Sequence, residues 1–346
     1  MVESCNAILR SAIWIICFSW LWCGCRAPAL SEQQSWEIRQ RALAELKLSA
    51  ATADDPQIRV RALRGLDADP PRRGAHFDSW TRLALYDPDP AVRLEAIMLL
   101  RNRKADISID FWKRLLDDED ELVRAGAMLC LIEAGRSEYD EMLDRVRHTE
   151  MELRHRPSAI PLLLALNERA KDDELRHWLS TADESDRALR FAARASLVAR
   201  GDPQITREMI LQAQTAGERD QESAIEILSL SADPNVLYIL SERLENCESL
   251  GGRLEAARGL GRFGSDAGLQ LAMECLSFEP PSADEAGLAY AAHIRASACD
   301  ACAEFPTLEV LLDVSDRVAA DDDPGVRTAC AAAVLRILAR RKEAPR

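Results

Sequence analysis

Residues 89–96 read DPAVRLEA, and this octapeptide contains the signals that decide the fold. Asp89 is a favoured N-cap residue, because its carboxylate accepts hydrogen bonds from backbone N–H groups that have no partner inside a helix. Pro90 suits the first helical position, since it has no N–H to lose. Val92 and Ala96 then recur at helical spacing. The segment predicts an amphipathic helix that begins directly after Asp89.

The same pattern recurs along the chain. It reads DPQIRVRA from Asp55, DELVRAGA from Asp120, DRALRFAA from Asp186 and DPGVRTAC from Asp323. Looser copies contain Arg156, Arg253 and Arg295 at the position of the arginine. The arginine positions are separated mostly by 31 to 34 residues, which is a period typical of helical solenoids. The copy near residue 224 lacks the arginine, and the 42-residue step from 253 to 295 predicts an insertion at 277–287.

A second amphipathic stretch lies between successive copies, for example FDSWTRLALY at 77–86. Each unit is therefore predicted to be a helical hairpin, and residues 32–341 divide into about nine of them, followed by a tail at 342–346. One hairpin cannot bury its apolar faces alone, whereas stacked hairpins can. The predicted fold is all-α, an α-solenoid with one quasi-linear core.

The composition agrees with a helical array and limits the classes of function. Apolar residues make up 47% of the 346 residues, which argues against disorder, and aromatic residues make up 5%, which argues against a β-sandwich or barrel. The net charge is −14. A uniformly acidic body repels phosphate backbones, so no nucleic-acid partner is expected.

The Asp-Pro-x-Val-Arg-x-x-Ala signature resembles the HEAT repeat family, in particular the short bacterial repeats of phycobilisome lyase subunits. The resemblance covers nearly all of the chain after residue 31. It implies that the repeated aspartates and arginines pair between neighbouring units as a structural ladder. The residues at these positions are Asp55, Arg59, Asp89, Arg93, Asp120, Arg124, Asp186, Arg190, Asp323 and Arg327.

The N-terminal segment is predicted to direct export. Residues 12–22 form an apolar stretch that is too short to span a bilayer but has the length of a signal-peptide core. The following Trp22-Cys23-Gly24-Cys25 resembles a bacterial lipobox, although Trp22 stands where leucine is usual. The resemblance implies a signal peptide at 1–24, a lipid on Cys25, a linker at 25–31 and membrane anchoring. Ordinary cleavage after Ala27-Pro28-Ala29, which gives a soluble periplasmic protein, is one alternative, and an uncleaved hydrophobic anchor or a protein that is not exported is another.

No motif for catalysis, cofactor binding or metal binding is convincing. The sequence GLGRFG at 259–264 follows a predicted helix, whereas a dinucleotide fingerprint follows a strand. Cys299 and Cys302 lack a thioredoxin-like context and are predicted to be small buried residues, although an exported chain meets oxidants and a disulfide is the alternative. His148, Glu152 and His155 share a helical face only if no turn interrupts them. The HEAT-like deoxyhypusine hydroxylase has repeated His-Glu pairs, whereas no histidine of this sequence is followed by glutamate.

Charge is distributed by position along the repeats. Turns within hairpins are acidic and turns between hairpins are basic, for example at Arg101, Arg103 and Arg200. Favourable interaction with helix dipoles explains this pattern at about 0.3–1 kcal/mol per charge. The alternative is an interaction surface for a basic partner or for weakly bound Ca²⁺. We call its candidate residues the acidic ridge: Asp117, Asp118, Glu119, Asp120, Glu121, Asp321, Asp322 and Asp323.

The predicted function is that of a non-catalytic scaffold, tethered to a membrane, that binds an unknown protein through an extended concave surface. An accessory subunit of a lyase or oxidoreductase is the alternative from the enzyme class. A nucleic-acid-binding helical repeat is a third reading, which requires a basic concave face.

Overall fold

The computed structural model describes residues 30–68, 79–149 and 154–343. The chain divides into two compact units, Met1–Glu37 and Ile38–Arg346. The regular secondary structure of the described residues is helical, without strands, and 18 α-helices are present. The signal segment 1–24 and Cys25 lie outside the described residues. None of the helices within the described ranges is both long and apolar enough to cross a bilayer.

The helices are numbered here in chain order. They are α1 Glu32–Thr52, α2 Pro56–Asp67, α3 Ser79–Ala84, α4 Pro90–Asn102, α5 Ile109–Arg114, α6 Glu121–Glu133, α7 Asp140–Thr149, α8 Ile160–Asn167, α9 Asp172–Thr181, α10 Arg187–Ala199, α11 Pro203–Thr215, α12 Glu218–Leu228, α13 Val236–Asn246, α14 Leu250–Arg262, α15 Leu269–Cys275, α16 Glu285–Cys302, α17 Leu308–Ala320 and α18 Pro324–Glu343. Short 3₁₀ turns occur at Leu115–Asp117, Ser137–Tyr139 and Pro157–Ala159.

Odd-numbered and even-numbered helices form nine successive hairpins, and the predicted α-solenoid is confirmed. The predicted N-caps act as expected in several units. Asp55 accepts a hydrogen bond from the N–H of Gln57 at 2.8 Å, and Asp89 accepts one from Ala91 at 2.8 Å. These bonds satisfy backbone donors at the starts of α2 and α4, which fixes where these helices begin.

The stacking differs from the expected linear array in one respect. Within Ile38–Arg346, each even-numbered helix packs against the next one in order, and α18 packs against α2 as well as against α16. The nine even-numbered helices therefore form a closed ring. Each repeat of a solenoid is rotated slightly relative to its neighbour, and these rotations add along the array. Over nine units they return the last helix to the first.

The seam of the ring is closely packed. A Cβ atom on Gly65 of α2 would lie 2.8 Å from the Cβ of Ala332 on α18 and 2.8 Å from a methyl carbon of Leu46 on α1. Thr328 Oγ1 lies 2.8 Å from Ser49 Oγ, and both side chains are buried. The absence of a side chain at residue 65 thus permits the first and last units to approach.

The core of the ring consists mainly of leucine and alanine. Leu63, Leu100, Leu129 and Leu163 are among the fully buried side chains, each on an even-numbered helix. Burying a leucine contributes about 1.5–3 kcal/mol relative to leaving it in water. Stacking of units is therefore the main source of stability, as the sequence pattern indicates.

Candidate functional site

A ladder of arginines joins consecutive hairpins at the turns within them. Arg93 donates from Nε and Nη2 to the two carboxylate oxygens of Asp118 in the next unit, at 3.0 and 2.7 Å. Its Nη1 donates to the backbone carbonyls of Asp87 and Pro88 at 2.8 and 3.1 Å. Such a two-pronged contact holds a guanidinium in one orientation. One side chain therefore fixes both its own turn and the turn of the next unit.

The same contact recurs in two other units. Arg59 donates to both oxygens of Asp87 at 2.8 and 2.7 Å, and Arg295 donates to both oxygens of Asp321 at 2.8 and 3.1 Å. Arg59 also donates to the carbonyls of residues 53 and 54. The geometry of these arginines is that of a structural element.

The acidic partner differs from the one that the resemblance implied. Arg59, Arg93 and Arg295 bind the aspartate two positions before the N-cap residue, and the N-cap aspartates Asp89, Asp120 and Asp323 accept hydrogen bonds from backbone N–H groups. Asp120 also accepts a hydrogen bond from Arg156 at 2.7 Å, which is a pair of the kind that the resemblance implied. Asp118 Oδ1 accepts a hydrogen bond from the N–H of Asp120 at 2.9 Å. In the same way, Asp87 accepts one from the N–H of Asp89, and Asp321 accepts one from the N–H of Asp323. This local turn aims the carboxylate at the preceding unit.

Two arginines at the repeat position do not complete the ladder. Among the residues that the structure describes, Arg124 donates to the carbonyls of Asp118 and Glu119, and Arg190 makes no hydrogen bond or ion pair. Asp186 pairs instead with Arg154. Within the described residues, the two-pronged contact of Arg93 is therefore not repeated at Arg124 or Arg190, and the repeat sequence is degenerate there.

The acidic ridge retains exposed carboxylates. The side chain of Glu119 is 85% exposed, and Asp117 and Asp322 are also exposed. Asp118 and Asp321, by contrast, are nearly buried in the ladder. The ridge therefore contains a structural part and a part that is free to meet solvent.

The basic turns between hairpins are engaged by acidic neighbours. Arg101 contacts Glu133 at 2.8 Å and Glu168 at 2.7 Å, and its own side chain is only 11% exposed. Three similar pairs follow along this edge: Arg103–Asp67, Arg169–Asp140 and Arg200–Asp172. These ion pairs leave the acidic ridge as the more available charged edge.

Charged side chains also project into the interior of the ring, which the sequence analysis missed. Arg61 on α2 lies 3.8 Å from Asp300 on α16, although α18 separates these helices around the ring. Arg64 on α2 acts electrostatically on Glu226, which lies almost opposite on α12. Only side chains directed inward can meet in this way. We call the following residues the interior cluster: Arg61, Arg64, Glu95, Glu226, Glu255, Arg258, Arg262, Asp300, Glu304 and Arg336.

The interior cluster shifts the pKa values of its carboxyl groups in opposite directions. Burial raises the pKa of Glu255, and the nearby Arg258 offsets this only in part. Burial also acts to raise the pKa of Asp300, but ion pairs with Arg61 and Arg336 outweigh it and hold that pKa below its usual range. Because cations and anions alternate here, the cluster acts as a mutual ion-pair network. The signal in the sequence that could have indicated this cluster is a charged residue every three or four positions, as at 255, 258 and 262.

Cysteines are placed in the packed interface between units. Cys299 on α16 and Cys330 on α18 form a disulfide, so Cys299 does not pair with Cys302. Burial raises the pKa of the Cys302 thiol to about 12, and it does the same for Cys130. Thiols with such pKa values are protonated and poorly nucleophilic at neutral pH.

The remaining motifs do not assemble into a site within the described residues. Gly259 and Gly261 lie in the last turn of α14, and Gly264 follows with a φ of +79°, which is typical of a helix C-terminus. His155 Nδ1 lies 2.6 Å from the carbonyl oxygen of Ser185, whereas Glu152 falls outside the described residues. No group of three His, Cys, Asp or Glu side chains suitable for a metal ion occurs in the described part of the chain.

Two grooves open beside the acidic ridge. One, of about 810 Å³, lies between the start of α16 and the turn from α17 to α18. The other, of about 420 Å³, lies between α3 and α5. Each combines aromatic or aliphatic side chains with ridge carboxylates, namely Phe278 with Asp322 in the first and Phe111 with Glu119 in the second. Such a combination of apolar floor and charged edge is typical of recognition surfaces.

Comparisons with known proteins agree with the repeat architecture. Residues 77–182 match the family described as HEAT repeats, and this match agrees with the helical repeat architecture of the described residues. The comparison with curated proteins found no match. Two solved structures are similar over most of their length. Human deoxyhypusine hydroxylase in complex with glycerol is 18% identical with a TM-score of 0.36, covering 87% of this chain and 96% of that one. An engineered protein is 13% identical with a TM-score of 0.29, covering 90% and 96%. At these TM-scores neither neighbour bears on function.

Proposed function

We propose that the protein is a non-catalytic interaction scaffold, exported and tethered to a membrane by a lipid on Cys25, that binds a protein partner at its acidic ridge. The observation that carries this proposal is the asymmetry of the two edges. Carboxylates such as Glu119 and Asp322 remain exposed beside apolar grooves, whereas the basic turns are occupied by ion pairs. A basic partner surface is the complement of that edge.

The binding surface differs from the extended concave face that the sequence suggested. A closed ring directs its concave side inward, and the side chains there engage one another, as Arg61 and Asp300 do. A partner that binds inside must disrupt these ion pairs, which is costly because it leaves charges uncompensated in a confined space. Binding at the edge carries no such cost.

Two observations support export. The apolar segment at 12–22 followed by Cys25 has the form of a lipoprotein signal. The disulfide between Cys299 and Cys330 belongs to a class of bond that persists mainly in oxidising compartments. Acyl chains at about 0.8 kcal/mol per buried CH₂ anchor a protein without a spanning helix.

The scaffold proposal is tested by crosslinking in native membranes. Partner recovery with the wild type is compared with that of a variant in which Asp117, Glu119 and Asp322 become Asn, Gln and Asn. A matched control neutralises three exposed carboxylates elsewhere: Asp173→Asn, Asp266→Asn and Glu309→Gln. We expect one partner to be lost in the ridge variant alone and to dissociate as ionic strength rises. Equal recovery from all three proteins would contradict the proposal.

The tether is tested separately by Cys25→Ser. The variant is expected in the soluble fraction, whereas Cys23→Ser leaves the protein in the membrane fraction. A soluble wild type supports cleavage after Ala29 instead, and a Cys25→Ser protein that stays in the membrane removes the lipid anchor.

A further inference from the structure

The groove between α16 and the turn from α17 to α18 follows from the irregular length of one repeat. In α4 the ladder arginine Arg93 lies three residues after the first helical residue, Pro90. In α16 Arg295 lies ten residues after Glu285. The difference of seven residues is about two helical turns, or about 10 Å. α16 therefore extends beyond the ladder and forms one wall of the groove.

The floor of this groove is apolar and open to solvent. Phe278, Leu288, Ala289 and Ala292 line it, and the side chain of Leu288 is 53% exposed. The ring of Tyr290 packs edge-on against Phe278 at 5.9 Å, which fixes the loop before α16 in place. Small-molecule sites bury most of their ligand. A leucine that is more than half exposed suits a larger partner that covers it.

The edges of the groove are acidic. Five carboxylates line it, at Glu279, Glu285, Asp321, Asp322 and Asp323, against two guanidiniums, at Arg295 and Arg317. Arg295 and Asp321 neutralise each other in the ladder. Four carboxylates and one guanidinium remain, so the formal charge facing a ligand is −3.

We propose that this groove binds an extended basic segment of a protein partner, with an apolar side chain on Leu288 and Phe278 and a flanking Lys or Arg beside Asp322 and Glu285. The proposal rests on the scaffold function and specifies where and by what chemistry the partner is recognised. Charge complementarity at the edges directs the segment and sets its register, and burial of the apolar side chain contributes affinity.

The test uses a fluorescein-labelled octapeptide of alternating Arg and Leu, titrated with the full-length protein by fluorescence anisotropy. Leu288→Ser and Asp322→Lys are each expected to raise its Kd about tenfold. Asp117→Lys changes the net charge equally on another part of the acidic ridge and is expected to change the Kd less than about twofold. All three residues are exposed, so the variants are expected to fold, which circular dichroism checks.

The outcomes separate specific binding from charge attraction. The groove proposal would be overturned if Asp117→Lys and Asp322→Lys raised the Kd of the peptide equally. It would also be overturned if an octapeptide of alternating Arg and Ser, or of alternating Glu and Leu, bound as tightly as the Arg–Leu peptide. If the Leu288→Ser protein no longer binds the peptide but still crosslinks to the membrane partner, the scaffold function is supported and the proposed role of the groove is wrong, because the partner binds elsewhere. If the peptide binds at the groove but no partner depends on the ridge in membranes, the groove stands and the scaffold function fails.

Discussion

Arg327 on the last helix donates from Nε to Oε1 of Glu45 on the first helix, at 3.1 Å, although 282 residues separate them. The same arginine binds the carbonyls of Asp321 and Asp322, as the ladder arginines do in other units. The seam thus resembles an ordinary contact between neighbouring repeats, with glutamate in place of aspartate. A circle of units has no exposed apolar end that needs a capping repeat.

Closure of the ring predicts energetic coupling between these two residues. Glu45→Gln and Arg327→Gln are combined in a double-mutant cycle, with the free energy of unfolding measured in urea. We expect a coupling energy of about 0.5–1 kcal/mol, because the pair is partly buried. Glu245 lies on α13, which packs against α14, and the cycle of Glu245→Gln with Arg327→Gln serves as the control that removes the same charges. A coupling energy of zero for Glu45 with Arg327 indicates an open array in solution.

The ladder predicts unequal effects at equivalent repeat positions. Arg93→Met removes five hydrogen bonds and leaves Asp118, which is 12% exposed, without its cation. We expect a loss of about 2–4 kcal/mol in the free energy of unfolding. Arg190→Met occupies the same motif position without such contacts and is expected to cost less than about 0.5 kcal/mol. Equal losses, measured by denaturant unfolding, would show that the motif position rather than the contact determines stability.

The sequence predicted the hairpins well because the signals for them are local. An aspartate such as Asp89 followed by proline starts a helix whatever lies far away, and the recurrence of that signal gives the number of units. The partner of Arg59, Arg93 and Arg295 was misassigned for a local reason as well. The N-cap carboxylate is already used by the backbone, and the turn bond between Asp118 and the N–H of Asp120 presents the earlier aspartate to the neighbouring unit.

Ring closure and the interior cluster could not be predicted in the same way. Closure depends on the sum of small rotations over nine units, and no single residue encodes that sum. Glu255 and Arg258 lie on a helix that also contains Arg253 and Arg262 and is otherwise apolar or small, and charges on such a helix normally indicate a solvated face. They project inward only because the array closes. The sequence predicted the insertion at 277–287 but not the groove beside it, because the groove depends on how far α16 extends.

The raised pKa of Glu255 predicts a stability that falls as pH rises. A carboxyl group whose pKa is higher in the folded state holds its proton more tightly there, so folding is favoured at low pH and this contribution is lost as pH rises through the folded-state pKa. Glu226, Arg258, Arg262 and Asp300 are the charged groups around it. Glu255→Gln is therefore expected to unfold at a higher temperature than the wild type at pH 8.

The difference is expected to disappear below about pH 4.5, the ordinary value for this group. Asp202→Asn provides the control of opposite sign. Burial acts to raise the pKa of Asp202, but hydrogen bonds from the N–H groups of Ile205 and Gln204 and from Arg176 outweigh it and lower the pKa. Its stabilising contribution is present above about pH 3.8 and is lost as pH falls through the folded-state pKa. A Glu255→Gln protein that is less stable at pH 8 would contradict the assignment.

The disulfide predicts that a reductant weakens the seam side of the ring. Cys299 and Cys330 join α16 to α18 across 31 residues, and closing a loop of that length stabilises a protein by about 3–4 kcal/mol in the chain-entropy description.

Dithiothreitol is expected to lower the urea midpoint of the wild type and of Cys302→Ser, whose disulfide is intact. It is expected to leave the midpoint of a Cys299→Ser, Cys330→Ser double variant unchanged. Because both sulfurs are buried, reduction requires local opening, so the midpoint is measured after equilibration in denaturant. Identical wild-type midpoints with and without dithiothreitol would show that this bond is absent in solution or does not constrain the unfolded chain.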